Sequence, residues 1–216
     1  LEKLTNRANR MFAFVRQYPQ LFPENILTSA FQQQFLSDIP FVMAAEKQIK
    51  TLLCEGDDYI ALCHWNANID NCWFWRNADA SLHCGLLDWA MVGQMSVVQT
   101  IAGVISGAEK DLWDNHLDEL LMVFIDEYAT CGGPWLNLDE LRYRLLLLTA
   151  ITGLSYGMSA PLAIGREISD LSSVQSYQDS CFRENENSRI QLHMMTKMLN
   201  VWQTRNLGSL VRQLVN

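Results

Sequence analysis

Basic residues are scarce and scattered in this chain. Sixteen Lys and Arg stand against 24 Asp and Glu, a formal charge of −8, and they form no cluster. A phosphate backbone must be neutralised by gathered Lys and Arg, so nucleic acid is excluded as a partner. Glycine and proline are also few, 11 and 5 in 216 residues, and there is no internal repeat or low-complexity segment. With 49% hydrophobic residues the chain can bury enough surface to offset its conformational entropy, which excludes disorder. The cysteines at 54, 63, 72, 84, 131 and 181 include no pair spaced as a C-x₂₋₄-C knuckle. Several sit in apolar runs, so they are expected to be buried free thiols of an intracellular, reducing compartment. A zinc site from Cys63, His64, Cys72, His83 and Cys84 would have to form without that knuckle. Leu1 to Gln17 has no apolar h-region and is not a signal peptide. Its Lys3, Arg7, Arg10 and Arg16 read as a basic surface helix, or as the remnant of a targeting segment. Because it opens on Leu1, the chain is expected to be a processed form or a piece of a longer one.

Helical periodicity dominates the rest of the chain. Leu4 to Arg16 carries Met11, Phe12, Phe14 and Val15 and stops before Pro19. Pro23 opens a second helix through Leu36, and Phe41 to Cys54 reads as a third. Glu109 to Thr130 has apolar residues at three/four spacing and is ended by Gly132-Gly133-Pro134. Further helices start at Asn137 and cover Asn187 to Gln203. Tyr59–His64, Cys72–Trp75 and Leu82–Leu87 are short, apolar and separated by polar turns, and they read as strands of one small sheet, with Asn77–Ala80 as a hairpin turn. Two spans, Trp89–Ala108 and Leu145–Gly165, carry no charge. Diluted by Gly, Ser, Thr and Gln, they predict buried core helices, and membrane insertion is not expected. Met91, Met95 and Met158 read as core filler.

The chemistry concentrates in Cys63-His64-Trp65-Asn66-Ala67-Asn68-Ile69-Asp70-Asn71-Cys72 and in Leu87-Asp88-Trp89. An amide and a carboxylate at neighbouring strand ends are hard oxygen donors suited to Mg²⁺, which takes few protein ligands. Singly, each residue has an ordinary structural role open to it. His64 can orient the loop through backbone hydrogen bonds, Asn66, Asn68, Asp70 and Asn71 can form turns, and Asp88 can cap the segment after it. In this order and spacing the segment resembles the aminoglycoside-phosphotransferase and choline-kinase-like group of the protein-kinase-like superfamily, whose loop runs H-G-D-x-H-x-x-N with a strand-end Asp further along. His64 matches the loop His, Asn71 the metal-binding Asn, and Asp88-Trp89 the metal-binding Asp with its aromatic neighbour. As a pattern the resemblance spans the chain; its specific motifs occupy Leu62 to Gly93.

That resemblance implies a mainly α fold with a small β-sheet insert, the carboxy-terminal lobe of a kinase-like protein. One unit, 1–216, would then comprise leading helices (1–57), a small sheet bearing the catalytic-type loop and metal-type Asp (58–93), and a helical subdomain (94–216). It implies Mg and ATP as cofactors and a small hydroxylated molecule as substrate. Three departures count against activity. Asn66 stands in the catalytic Asp position, and an amide cannot accept a proton; loss of a general base costs about 10²–10⁴ in rate. Asp70 is a candidate substitute base, but it adjoins Asn71. Trp65 and Asn68 replace the family's Gly and second His. No Gly-rich loop or strand Lys precedes Leu62, so a nucleotide lobe would have to come from elsewhere. The expected function is a degenerate kinase-like lobe serving as a binding or structural subunit of a larger assembly, with a protein partner or the missing lobe on its apolar face. The alternative is the carboxy-terminal lobe of an active Mg-ATP phosphotransferase. Trp65, Trp73, Trp75 and Trp89 around the motif are expected to pack into the core with their indole N–H groups bonded locally, or else to stack on a flat ligand or partner.

Overall fold

A computed structural model describes residues 1–215. Helices carry 72% of it, joined to two small antiparallel strand pairs, so the mainly α expectation holds. Helix α1 (Glu2–Gln17) buries Ala8, Met11, Phe12 and Val15 on one stripe and leaves Lys3, Arg10 and Arg16 in water. Its Arg7 donates to the Ser155 carbonyl at 3.0 Å, tying α1 to the centre of the fold.

Two expected helices are one. After a 3₁₀ turn at Glu24–Ile26, Thr28 caps a single helix α2 (Ser29–Cys54), its hydroxyl accepting from the Phe31 N–H, with Pro40 inside. The apolar stripe explains the correction. Phe31, Phe35, Ile39, Val42, Ala45, Ile49 and Leu53 keep one helical register through the proline, and all are buried. An interior proline costs about 3 kcal/mol, whereas burying one large apolar side chain contributes about 1.5–3 kcal/mol, so the stripe outweighs the break.

The strands also differ from expectation. Strand β1 (Ile60–Cys63) pairs with β4 (Gly93–Ser96), and β2 (Cys72–Arg76) pairs with β3 (Leu82–Leu86), giving two separate ladders instead of one sheet. The uncharged span Trp89–Ala108 is not a buried helix throughout. It opens with an exposed 3₁₀ turn (Trp89–Met91), supplies β4, and only then forms α3 (Val97–Val104). Met91 is exposed accordingly, Met95 packs partly on the core and Met158 is buried. The Asn77–Ala80 turn forms as expected, with Ala80 N–H donating to the Asn77 carbonyl at 2.9 Å.

A π-turn (Leu112–His116) precedes α4 (Leu117–Thr130), and the extra residue lets Trp113 be buried while its carbonyl accepts from Arg205. Helix α5 (Leu138–Tyr156), capped by Asn137, is wrapped on nearly all sides, which accounts for its uncharged second half. Among the described residues, the helical run Leu138–Glu167 is the one long and apolar enough to cross a membrane, and 61% of its apolar window lies buried inside the protein. Helices α6 (Ala160–Glu167), α7 (Ser180–Glu184), α8 (Glu186–Thr204) and α9 (Leu207–Val215) complete the fold.

Two polar groups packed between elements, Asp38 and Lys197, fix how these helices meet. Asp38 of α2, 1% exposed, accepts from Trp202 Nε1 of α8 at 3.0 Å and from Arg212 Nε of α9 at 3.0 Å. Gly208 leaves the room: a Cβ there would sit 1.9 Å from an Asp38 oxygen. On α8, Lys197 donates to the Ser106 carbonyl at 3.1 Å and lies over the Trp113 ring, beside His193, whose Nε2 is 2.9 Å from the Ala108 carbonyl. Burial lowers the Lys197 pKa from 10.5 to about 8.

The cysteines are all free, but Cys63 alone is fully buried; Cys72 and Cys181 are partly covered, and Cys54, Cys84 and Cys131 are exposed. The exposed ones sit at helix ends or on the β2–β3 hairpin, where no core covers them.

Asp38→Ala should lower stability in urea by about 3–5 kcal/mol, since it strands Arg212 and the Trp202 N–H; a loss under about 0.5 kcal/mol would contradict the role given to Asp38. For Lys197 the folded state holds the proton less tightly than the unfolded chain, so burial penalises stability below pH 8. That penalty fades as pH rises from about 8 to about 10.5. The stability of the wild type relative to Lys197→Met should therefore rise over that window, by at most about 3 kcal/mol. A difference independent of pH would count against it.

Candidate functional site

The site is built from the end of β1, the loop after it and the end of β3. His64, 6% exposed, leaves β1 with its ring edge-on to Trp89 at 5.0 Å and its Nε2 2.6 Å from the Leu87 carbonyl. A carbonyl only accepts, so Nε2 carries the proton in this arrangement. The loop then tightens on itself. Asn68 caps the 3₁₀ turn Ile69–Asn71, its Oδ1 accepting from the Asp70 N–H at 3.0 Å, while its Nδ2 donates to Asn66 Oδ1 at 3.0 Å. Asn71 Nδ2 donates to the Asn66 carbonyl at 2.8 Å, and the Cys72 thiol donates to the Asn68 carbonyl at 3.1 Å. Burial and the Cys84 thiol beside it raise the Cys72 pKa, so this thiol stays protonated and holds the loop as a donor.

Leu87 stitches the two halves together. Its N–H donates to the Asn71 carbonyl at 2.8 Å, and its own carbonyl receives His64. Asp88 is the next residue in the chain. Asp88 adopts the left-handed conformation, φ 54° and ψ 61°, which Asp tolerates better than most side chains. The Trp89 indole closes the turn by donating to the Leu86 carbonyl at 3.0 Å.

The sequence singled out Asn71 and Asp88: the Asn71 carbonyl accepts from the Leu87 N–H, and Asp88 follows Leu87 directly in the chain. Asn71 uses its amide N–H on the loop, which leaves Oδ1. Among the described residues no hydrogen bond or ion pair engages the Asp88 carboxylate, which is exposed. Two oxygen donors of this kind suit a magnesium ion that keeps water and phosphate as its other ligands. Asn66 is placed by the loop: its Oδ1 accepts from Asn68, and its NH₂ makes no hydrogen bond among the described residues. Asp70 is exposed, and no hydrogen bond links its carboxylate to Asn66 or Asp88. The set considered for zinc is not assembled: among the described residues no group of three or more His, Cys, Asp or Glu is placed to hold a metal. His83 instead stacks on Trp75 at 5.7 Å and accepts from Asn77 at the hairpin turn.

The four tryptophans around the motif are a correction. Trp65, Trp73, Trp75 and Trp89 are 42, 64, 43 and 54% exposed, so they are surface residues, although Trp89 does bond locally as expected. Trp73 and Trp75 lie on the β2–β3 hairpin, none of whose strand residues is buried, and neither aromatic content nor strand alternation in the sequence reveals that.

Gly103 is the site residue that sequence reasoning missed. On α3 it touches the loop backbone so closely that a Cβ would stand 1.9 Å from the Trp65 carbonyl oxygen and 3.4 Å from the Asn66 nitrogen. An isolated glycine inside an apolar helix was the available signal.

Compared with protein-family models, with curated proteins and with solved structures, the chain matches none.

Gly103→Ala should push the Trp65–Asn66 backbone off α3. Overpacking of this kind costs about 1–3 kcal/mol, and hydrogen exchange in a peptide covering residues 64–72 should quicken while α8 stays protected. Unchanged exchange in that peptide would show that α3 does not set the loop.

Proposed function

We propose that this chain is a kinase-like lobe, similar to the carboxy-terminal lobe of the aminoglycoside-phosphotransferase and choline-kinase-like group, that has lost its general base and serves as a binding subunit of a larger assembly. The observation that carries this reading is the stitched arrangement of His64, Asn71 and Asp88 around Leu87 together with Asn66. In this reading an amide oxygen from Asn71 and a carboxylate from Asp88 are the donors that metal-assisted phosphoryl transfer would use. Asn66 stands where the proton acceptor belongs, and its neutral amide cannot take up a proton. A protein reduced to binding keeps the scaffold, which its folding needs, and gives up the base.

Two aspects of the region support binding over turnover. Lys47 and Lys50 are the only lysines between Lys3 and the motif, and both lie on α2, so these residues offer no strand lysine to hold ATP phosphates. The aromatic residues around the site face outward, as on a surface that another body covers.

The second reading, an active phosphotransferase lobe completed by a separate nucleotide lobe, rests on Asn71 and Asp88. In it these two hold Mg²⁺, and Asn66 orients the acceptor hydroxyl through its NH₂ group.

Calorimetric titration of the 216-residue chain with Mg·ATP separates the two. The expected result is no saturable heat below millimolar nucleotide. Micromolar binding abolished by Asp88→Ala would overturn the binding-subunit reading in favour of the phosphotransferase.

A further inference from the structure

We infer that the β2–β3 hairpin and the adjoining turns form a docking surface for a separate basic polypeptide, one presenting apolar side chains flanked by Lys or Arg. This inference rests on the binding-subunit reading and names the chemistry of its partner.

The hairpin cannot account for its own stability. None of its ten residues is buried, Trp73 and Trp75 stand on one face, and Phe74 and Leu82 on the other. An isolated two-stranded hairpin is marginal in water. What holds this one is its base, where Leu87 and Trp89 are fastened to the loop. Four indoles about half exposed present roughly 400 Å² of aromatic surface, taking about 200 Å² for a whole aromatic side chain. Leu62, Ile69 and Met91, in the segments flanking the hairpin in sequence, are likewise 76, 70 and 63% exposed. An exposed apolar patch of this order is often a functional surface.

Charge selects the occupant. Between Asp57 and Ser96 there are five Asp and one basic residue, Arg76. Asp70 and Asp88 lie at the hairpin base and Asp79 at its tip, all exposed, so carboxylates stand at both ends of the aromatic face. Arg76 does not neutralise them, because it donates to the Ala80 carbonyl at 2.8 Å within the turn. An anionic membrane surface or a nucleic acid would be repelled. A second copy docking through the same face would set carboxylate against carboxylate. A basic polypeptide gains both the apolar contact and the charge complement, with the charges governing encounter and specificity.

The test uses the whole 216-residue chain and two synthetic 16-residue probes, one alternating Lys with Leu and the other Glu with Leu, monitored by tryptophan fluorescence at low salt. The Lys/Leu probe should saturate at micromolar concentration and bind at least tenfold more tightly than the Glu/Leu probe. Its affinity should fall at least tenfold in the combined Asp70→Asn, Asp79→Asn, Asp88→Asn variant and in Trp73→Lys, while both variants keep the wild-type far-ultraviolet dichroism. Equal binding of the two probes would overturn the inference, as would an affinity untouched by either variant. Concentration-dependent self-association that protects the tryptophans from quenching would assign the face to a second copy, and tight binding to phosphatidylserine vesicles would assign it to a membrane; either outcome overturns it. Failure of the probes with Mg·ATP also silent removes this inference alone. Micromolar Mg·ATP binding removes the reading beneath it, whatever the probes do.

Discussion

Everything proposed for this chain depends on two hydrogen bonds made by the backbone on each side of Leu87. Its N–H reaches the Asn71 carbonyl and its C=O receives the His64 ring. Leucine contributes nothing chemical here; the backbone does the joining, and His64 is buried so that its proton goes to that carbonyl and not to water. Breaking either bond would loosen the Leu87–Asp88 segment from the loop that carries His64 and Asn71. A net hydrogen bond contributes about 0.5–1.5 kcal/mol, but a buried imidazole left without its acceptor costs more, which makes this junction unforgiving.

The rest of the fold supports that junction at two distances. Nearby, Gly103 lets α3 lie against the Trp65–Asn66 backbone, and the Cys72 thiol ties the far end of the loop. Farther off, Arg144 closes the end of α2 by donating to the Leu52 and Glu55 carbonyls and stacks on Tyr59 at 4.3 Å, fixing where the chain enters β1. Asp38, in contact with α8 and α9, fixes α2 itself. Separate polar contacts along α2 thus set how the chain enters β1, the strand that leads into His64.

Helices such as α1 and α8 were legible because a three/four apolar stripe has one physical outcome when a core is available. Pro40 misled because local propensity argued for a break while seven buried side chains argued for continuity, and burial is the larger quantity. Gly93–Ser96 was hidden as a strand because a short uncharged run looks the same in a strand and in a buried helix. In the site, the order His64, Asn71, Asp88 was readable, since spacing along a loop survives folding. The contact at Gly103 was not, since it joins segments distant along the chain, and the exposure of the tryptophans was not, since it depends on what fails to pack over the hairpin. The same lack of cover is what the proposed docking surface rests on.

Native mass spectrometry of the protein isolated from its own source tests the central claim most directly. The account predicts a stoichiometric complex with a second, basic polypeptide, released as salt is raised. A clean monomer of this chain at low salt, with the hairpin tryptophans open to quencher, would contradict it.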